Sequence, residues 1–199
     1  MSNPFWDERY RGEGYAYGVE PNDFLRAEVG RIPKGRVLCL AEGEGRNAVF
    51  LASLGYQVTA VDFSTEGLRK AERLATSRGV ELTLIEADLA TFELGEDAWS
   101  GIVSIFAHTP SPVRQRVHAA VPRALHAGGT FLLEAYRPEQ IALGTGGPKD
   151  ATMTPTLATL HTELEGLDLV LAREVDREIH EGPFHGGPSA TVQVVAIRR

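Results

Sequence analysis

Cysteine is all but missing from this chain: Cys39 is the only one, which excludes an intrachain disulfide and a cysteine-built zinc site. Its setting, Val37-Leu38-Cys39-Leu40, predicts a buried thiol that packs as a small hydrophobe. Positive charge is also short, with 20 Lys+Arg against 27 Asp+Glu and a net charge of −7. That balance argues against a nucleic-acid or anionic-membrane partner, since phosphates call for a basic face. No apolar run approaches the roughly 18 residues of a membrane span. The opening Met1-Ser2-Asn3-Pro4-Phe5-Trp6-Asp7-Glu8 lacks the basic and apolar regions of a signal peptide. The expectation is a cytoplasmic protein, monomer or homodimer, without membrane or nucleic-acid partners. His180, Glu181 and His185 lie in a Gly/Pro-rich stretch without helical ligand spacing, so no metal is expected.

What is present is the composition of one globular domain: 199 residues, 43% hydrophobic and 24% charged. From residue 36 onward, short β-branched runs alternate with helical stretches, the pattern of a parallel sheet covered by helices. Strands are expected at 36–40, 57–61, 82–85, 101–106 and 130–135, with helices at about 46–54, 65–78 and 112–127. Ser64 is placed to cap the second of these helices, and Pro122 to kink or divide the third. Beyond the Gly144–Pro148 loop, a short helix at about 156–164 precedes runs at 167–179 and 191–197. The connection between those two runs is too short for a parallel crossover, so they must close the sheet as an antiparallel hairpin. The first 35 residues, with Trp6, Tyr10, Tyr15, Tyr17 and a helix at about 21–30, read as a lid or flanking element of a single domain spanning 1–199.

Gly43-Glu44-Gly45-Arg46-Asn47-Ala48 follows the first strand and opens a helix, with the spacing of a dinucleotide fingerprint. Asp62 ends the second strand, 17 residues after Gly45, where a carboxylate can accept hydrogen bonds from ribose hydroxyls. Both features suit NAD and S-adenosylmethionine alike. Glu42 and Glu44 separate the two, because a pyrophosphate lodged against two carboxylates is repelled, by about 4 kcal/mol for each contact at 4 Å and an effective dielectric near 20. A ligand carrying an ammonium and a sulfonium meets no such penalty.

Together these residues resemble the class I S-adenosylmethionine-dependent methyltransferases, and most closely the group that includes tellurite-resistance and thiopurine methyltransferases. The resemblance runs through the aromatic N-terminal segment, Val37–Asn47, Val61-Asp62-Phe63-Ser64, Ala87-Asp88-Leu89, Leu125–Leu133 and the closing hairpin. Cys39 departs from it, standing where the family commonly has an aspartate, and Ala41 replaces a glycine. The resemblance implies a Rossmann-like, mostly parallel seven-stranded sheet with helices on both faces, S-adenosylmethionine as cofactor, and a small-molecule methyl acceptor such as a thiol or other chalcogen nucleophile. By the same resemblance Gly43, Gly45 and Asn47 line the methionine portion, with Glu42 taking over the missing aspartate's work. Asp62 meets the ribose, Phe63, Asp88 and Leu89 the adenine, and Ser104, Phe106 and Ala107 form the floor beneath the sulfonium. Tyr17, Tyr10 or Trp6 closes over the cofactor or packs on the sheet edge. His108, Tyr136 and His185, on loops at the carboxyl edge, are the candidate catalytic residues. The alternatives are an NAD(P)-dependent oxidoreductase and a non-catalytic S-adenosylmethionine-binding protein.

Overall fold

The computed structural model describes residues 4–199; Met1, Ser2 and Asn3, which belong to the single-domain and signal-peptide expectations, lie outside the described residues. Seven strands form one sheet: β1 (Arg36–Leu40), β2 (Gln57–Asp62), β3 (Thr83–Glu86), β4 (Trp99–Ile105), β5 (Leu125–Tyr136), β6 (Asp168–His180) and β7 (Gly186–Ile197). Their spatial order is β3-β2-β1-β4-β5-β7-β6. The first five run parallel, and β7 is inserted antiparallel between β5 and β6. This is the Rossmann-like architecture expected, hairpin included. The strand order reverses between β1 and β4, and in open α/β sheets ligands bind at the carboxyl ends of the strands flanking that reversal.

The helices are α1 (Pro4–Tyr10), α2 (Asp23–Glu28), α3 (Arg46–Ser53), α4 (Thr65–Arg78), α5 (Ser111–Ala124), α6 (Gln140–Leu143) and α7 (Leu157–Glu163). Each face of the sheet buries its own apolar cluster, as period-2 alternation requires. Leu38, Ile102, Phe131 and Leu133 pack with Val117 and Val121 of α5 and Leu160 of α7 on one face. Val37, Cys39, Val58, Val103 and Leu132 pack with Leu25 of α2 and Leu51 of α3 on the other. Cys39 is fully buried, and burial raises its thiol well above the ordinary range. Burying a side chain such as Phe131 or Leu38 contributes roughly 1.5–3 kcal/mol each.

The capping chemistry explains the boundaries. Ser64 accepts from the Gly67 N–H at 3.1 Å to start α4, and Gly79, at φ 66°, ends it. Asn22 caps α2 in the same way, but that helix stops at Glu28 and passes into a 3₁₀ turn over Val29–Arg31, shorter than the 21–30 expected. Pro122 does not divide α5: it falls in the last turn, and the helix ends two residues later at Ala124. β5 and β7 begin earlier than expected, because Leu125 pairs with Trp99 across a bulge and Gly186–Ala190 pair with β6 residues up to His180.

Candidate active site

The turn after β1 is built from backbone conformations that side chains resist. Ala41 (φ 49°), Gly43 (62°) and Gly45 (89°) are all left-handed, and Phe106 (53°), just after β4, is left-handed too. Two strained non-glycine residues therefore flank the reversal point, where such strain is a pointer to function. A Cβ on Gly45 would lie 2.7 Å from the Ala71 backbone of α4, and one on Gly43 would lie 2.6 Å from the Tyr10 hydroxyl.

Asp62 holds this turn from below. Its Oδ2 accepts from the Gly43 N–H at 2.7 Å and its Oδ1 from the Ser64 N–H at 2.8 Å. Burial lifts its carboxyl above the usual range, opposed by those N–H donors. Glu42 accepts from the Ala48 N–H at 2.7 Å, and burial pushes its carboxyl up to about 7 against the donation from Ala48 and the charge of Arg46.

Glu44 does not face a ligand. It is buried, accepts from the Ala16 N–H at 2.7 Å, and pairs with Lys70 of α4 at 2.8 Å. The expectation that both glutamates repel a pyrophosphate therefore keeps only Glu42; the charge of Glu44 is spent on anchoring the N-terminal segment. That segment lies over the turn. Asp7 of α1 accepts from the Ser64 hydroxyl at 2.6 Å, Tyr10 is buried against Gly43 and Gly67, and Trp6 stacks on Tyr10 at 5.6 Å.

The three candidate catalytic side chains come together. His185 sits 4.6 Å from Tyr17, 4.8 Å from Phe106 and 5.4 Å from Tyr136, ring centre to ring centre. His108 stacks on Tyr136 at 5.4 Å, and its Nε2 accepts from the Tyr136 backbone N–H at 2.9 Å. That bond puts the proton of neutral His108 on Nδ1, and burial holds its pKa down at about 3, with His185 adding to the effect. Tyr136 is fully buried, and burial pushes its pKa up to about 12, with Ser189 opposing the effect. The Gly144–Pro148 loop covers this ring: a Cβ on Gly147 would lie 2.6 Å from Tyr136 Cδ2.

Behind the rings runs a buried polar network that pattern reading did not assemble. Glu134 accepts from Asn22, Gln193 and, through both oxygens, Arg177. Glu181 accepts from Asn22 at 2.8 Å and pairs with Arg46 at 2.5 Å. Asn47 is buried with its Oδ1 turned to the Asn22 N–H at 2.9 Å, so it ties α3 to the N-terminal segment. In sequence these residues are scattered from 22 to 193.

The remaining candidates lie along the same edge. Asp88 is exposed and accepts from the Ala90 N–H at 2.8 Å, closing a turn, while Leu89 belongs to the core. Phe63 and Ala107 are half-buried and Ser104 is buried. Among the described residues, no group of three His, Cys, Asp or Glu side chains is placed to hold a metal, and no helix is long and apolar enough to cross a membrane.

Residues 37–129 match the family described as a methyltransferase domain. An uncharacterised protein of Mycobacterium tuberculosis is 30% identical over 125 residues, 63% of this chain and 44% of that protein, so the chain spans under half the length of this curated relative. Among solved structures, a protein described by the conversion of a disulfide bond into a thioacetal group during echinomycin biosynthesis superposes with a TM-score of 0.78, 20% identity, and coverage of 98% of this chain and 90% of that one. A SAM-dependent methyltransferase from Methanosarcina mazei superposes with a TM-score of 0.71, 16% identity, and coverage of 90% and 99%. These likenesses show the fold, and the family match disfavours a nicotinamide-dependent oxidoreductase. Residues 37–129 thus match a methyltransferase domain, within a chain that shares the Rossmann-like fold of the superposed structures.

Proposed function

We propose that this chain is a single-domain, cytoplasmic S-adenosylmethionine-dependent methyltransferase acting on a small molecule through an oxygen or sulfur nucleophile. The observation that carries the reading is the match of residues 37–129 to a methyltransferase domain, centred on a left-handed glycine turn braced by Asp62. The finer affinity, with the tellurite-resistance and thiopurine group, rests on the Gly43–Asn47 motif and the aromatic N-terminal segment.

The cofactor, when bound, supplies a methyl group already activated by the positive sulfur. The chain's work is alignment and exclusion of water. Gly43 and Gly45 give the turn its left-handed shape, packed against Tyr10 and Ala71, so that its backbone faces the methionine portion, and Glu42 offers a carboxylate to an ammonium. Each oxygen of Asp62 has a lone pair left after its backbone bond, enough for the ribose hydroxyls. Phe63, Asp88 and Leu89 take the adenine edge. Ser104, Phe106 and Ala107 lie under the reacting methyl, and Tyr17 closes it from the N-terminal segment. His108 positions Tyr136, and Tyr136 and His185 border the acceptor.

Calorimetric titration with S-adenosylmethionine, S-adenosylhomocysteine and NAD(H) tests this. Micromolar binding of the two adenosyl compounds alone is the expected result; binding of NAD(H) alone overturns the reading.

A further inference from the structure

Glu181 and His185 face each other across the turn that joins β6 to β7. A backbone bond from the Glu181 N–H to the His185 carbonyl, 2.8 Å, pins the turn, and Glu181 Oε2 lies 3.5 Å from His185 Nδ1. Nδ1 is buried and, among the described residues, has no closer hydrogen-bond partner. Glu181 is not free to turn away, because Asn22 and Arg46 hold its two oxygens. Burial pushes its carboxyl up, yet His185 and Arg46 outweigh that and keep it at about 2, so it is an anion throughout the neutral range. An anion beside Nδ1 fixes the proton of neutral His185 on that nitrogen and leaves Nε2 bare. Among the described residues Nε2 makes no hydrogen bond. Burial lowers the pKa of His185, against the pull of Glu181, so the ring is neutral and able to take a proton.

The surroundings say what would bring that proton. Tyr17 and Phe106 press on His185 edge to face, and Tyr136 adds a third ring, an aromatic setting that suits a flat, apolar neighbour. Of the nearby cations, Arg46 is neutralised by Glu181 and Arg177 by Glu134, while Arg9 of α1 lies over the Phe184 ring at 4.3 Å. An aromatic hydroxyl, with a pKa of about 10 in its unperturbed form, is neutral near pH 7 and gains most from a base, whereas a thiol at about 8.5 ionises partly unaided.

We infer that His185 is the proton acceptor of the methyl transfer, that Glu181 is its positioning residue, and that the methyl acceptor is an aromatic hydroxyl compound that enters neutral. This deepens the methyltransferase reading and rests on it. The hydroxyl proton passes to His185 Nε2 as an oxygen lone pair forms the new bond to the methyl carbon. The carbon–sulfur bond breaks with its electron pair returning to sulfur, and the imidazolium then releases its proton to water.

Two measurements test the pair. In the free protein, ¹⁵N NMR of the histidine rings should find His185 neutral at pH 7 with its proton on Nδ1, and Glu181→Gln should erase that preference; a proton on Nε2 in the wild type overturns the pairing. In turnover, His185→Gln should lower kcat for phenol by about a hundredfold or more, with S-adenosylhomocysteine affinity within twofold of wild type by calorimetry. The loss should shrink for nitrophenol, which ionises unaided. An equal loss for both phenols, an unchanged rate, or no methylation of any aromatic hydroxyl by a protein that binds S-adenosylhomocysteine overturns the inference. A folded wild type that binds no adenosyl compound sinks the methyltransferase reading instead, and the NMR result separates the two failures.

Discussion

Glu44 and Lys70 form an ion pair of 2.8 Å between the glycine turn and α4, with both side chains at least nine-tenths buried. Lys70 also donates to the Gly14 carbonyl, and Glu44 accepts from Ala16, so the pair clamps the N-terminal segment over the turn. Removing one partner strands a buried charge. Lys70→Met should cost about 3–5 kcal/mol in urea unfolding, and Glu44→Leu combined with Lys70→Met should recover part of it. A single variant within about 1 kcal/mol of wild type would show that the charge finds water.

Asp62→Asn keeps the shape of the side chain but exchanges one acceptor oxygen for a donor. It should weaken S-adenosylmethionine binding by about 1–3 kcal/mol while the protein stays folded, since charged hydrogen bonds are lost. Unchanged affinity by calorimetry in a folded variant removes Asp62 from the ribose.

His108 and Glu42 impose opposite pH dependences on stability. The imidazole of His108 is held at about 3, below its ordinary 6.5, so the unfolded chain binds its proton first. Stability from this group is present above pH 6.5 and falls below it by roughly 1.4 kcal/mol per unit. The carboxyl of Glu42 is raised from 4.5 to about 7, so the folded chain binds its proton first, and stability from this group falls as pH rises from 4.5 to 7. Urea midpoints at pH 5 and pH 6.5 should therefore show Glu42→Gln losing more stability on acidification than wild type, and His108→Asn losing less. Parallel shifts in both variants would refute the assignment.

Gly147 touches the Tyr136 ring at φ 81°, while Gly55 has a similar φ of 85° and open space around it. Gly55→Ala should cost only the left-handed conformation, about 1–2 kcal/mol. Gly147→Ala should cost more, about 2–4 kcal/mol, because the ring must also move. Equal thermal shifts for the two would mean that the loop does not bear on Tyr136.

Much of this was readable from local pattern. β-branched runs and glycine stops placed the sheet, Ser64 announced α4, and the Gly43–Asn47 spacing located the turn, because each of these depends on neighbours in sequence. Glu44 was misjudged for the opposite reason: whether it faces a ligand or Lys70 depends on α4 packing 26 residues away. The Asn22, Glu134, Arg177 and Glu181 network was invisible, since hydrogen bonds across separations such as 112 and 159 residues leave no periodic trace. The early start of β7 was hidden by Gly186, Gly187 and Pro188, residues that read as loop yet pair at the free end of the hairpin.

Because β7 inserts between β5 and β6, the turn bearing Glu181 and His185 is delivered to the carboxyl edge by a part of the chain separate from the glycine turn. Recognition is thereby partly modular: Glu181 and Gly182 are tied to Arg46, Asn22 and Gly18, while residues 183–187 can diverge without altering the bonds of Asp62 to the glycine turn. A family descended from such a scaffold could change what it modifies by rewriting one hairpin tip, while its donor chemistry stayed fixed.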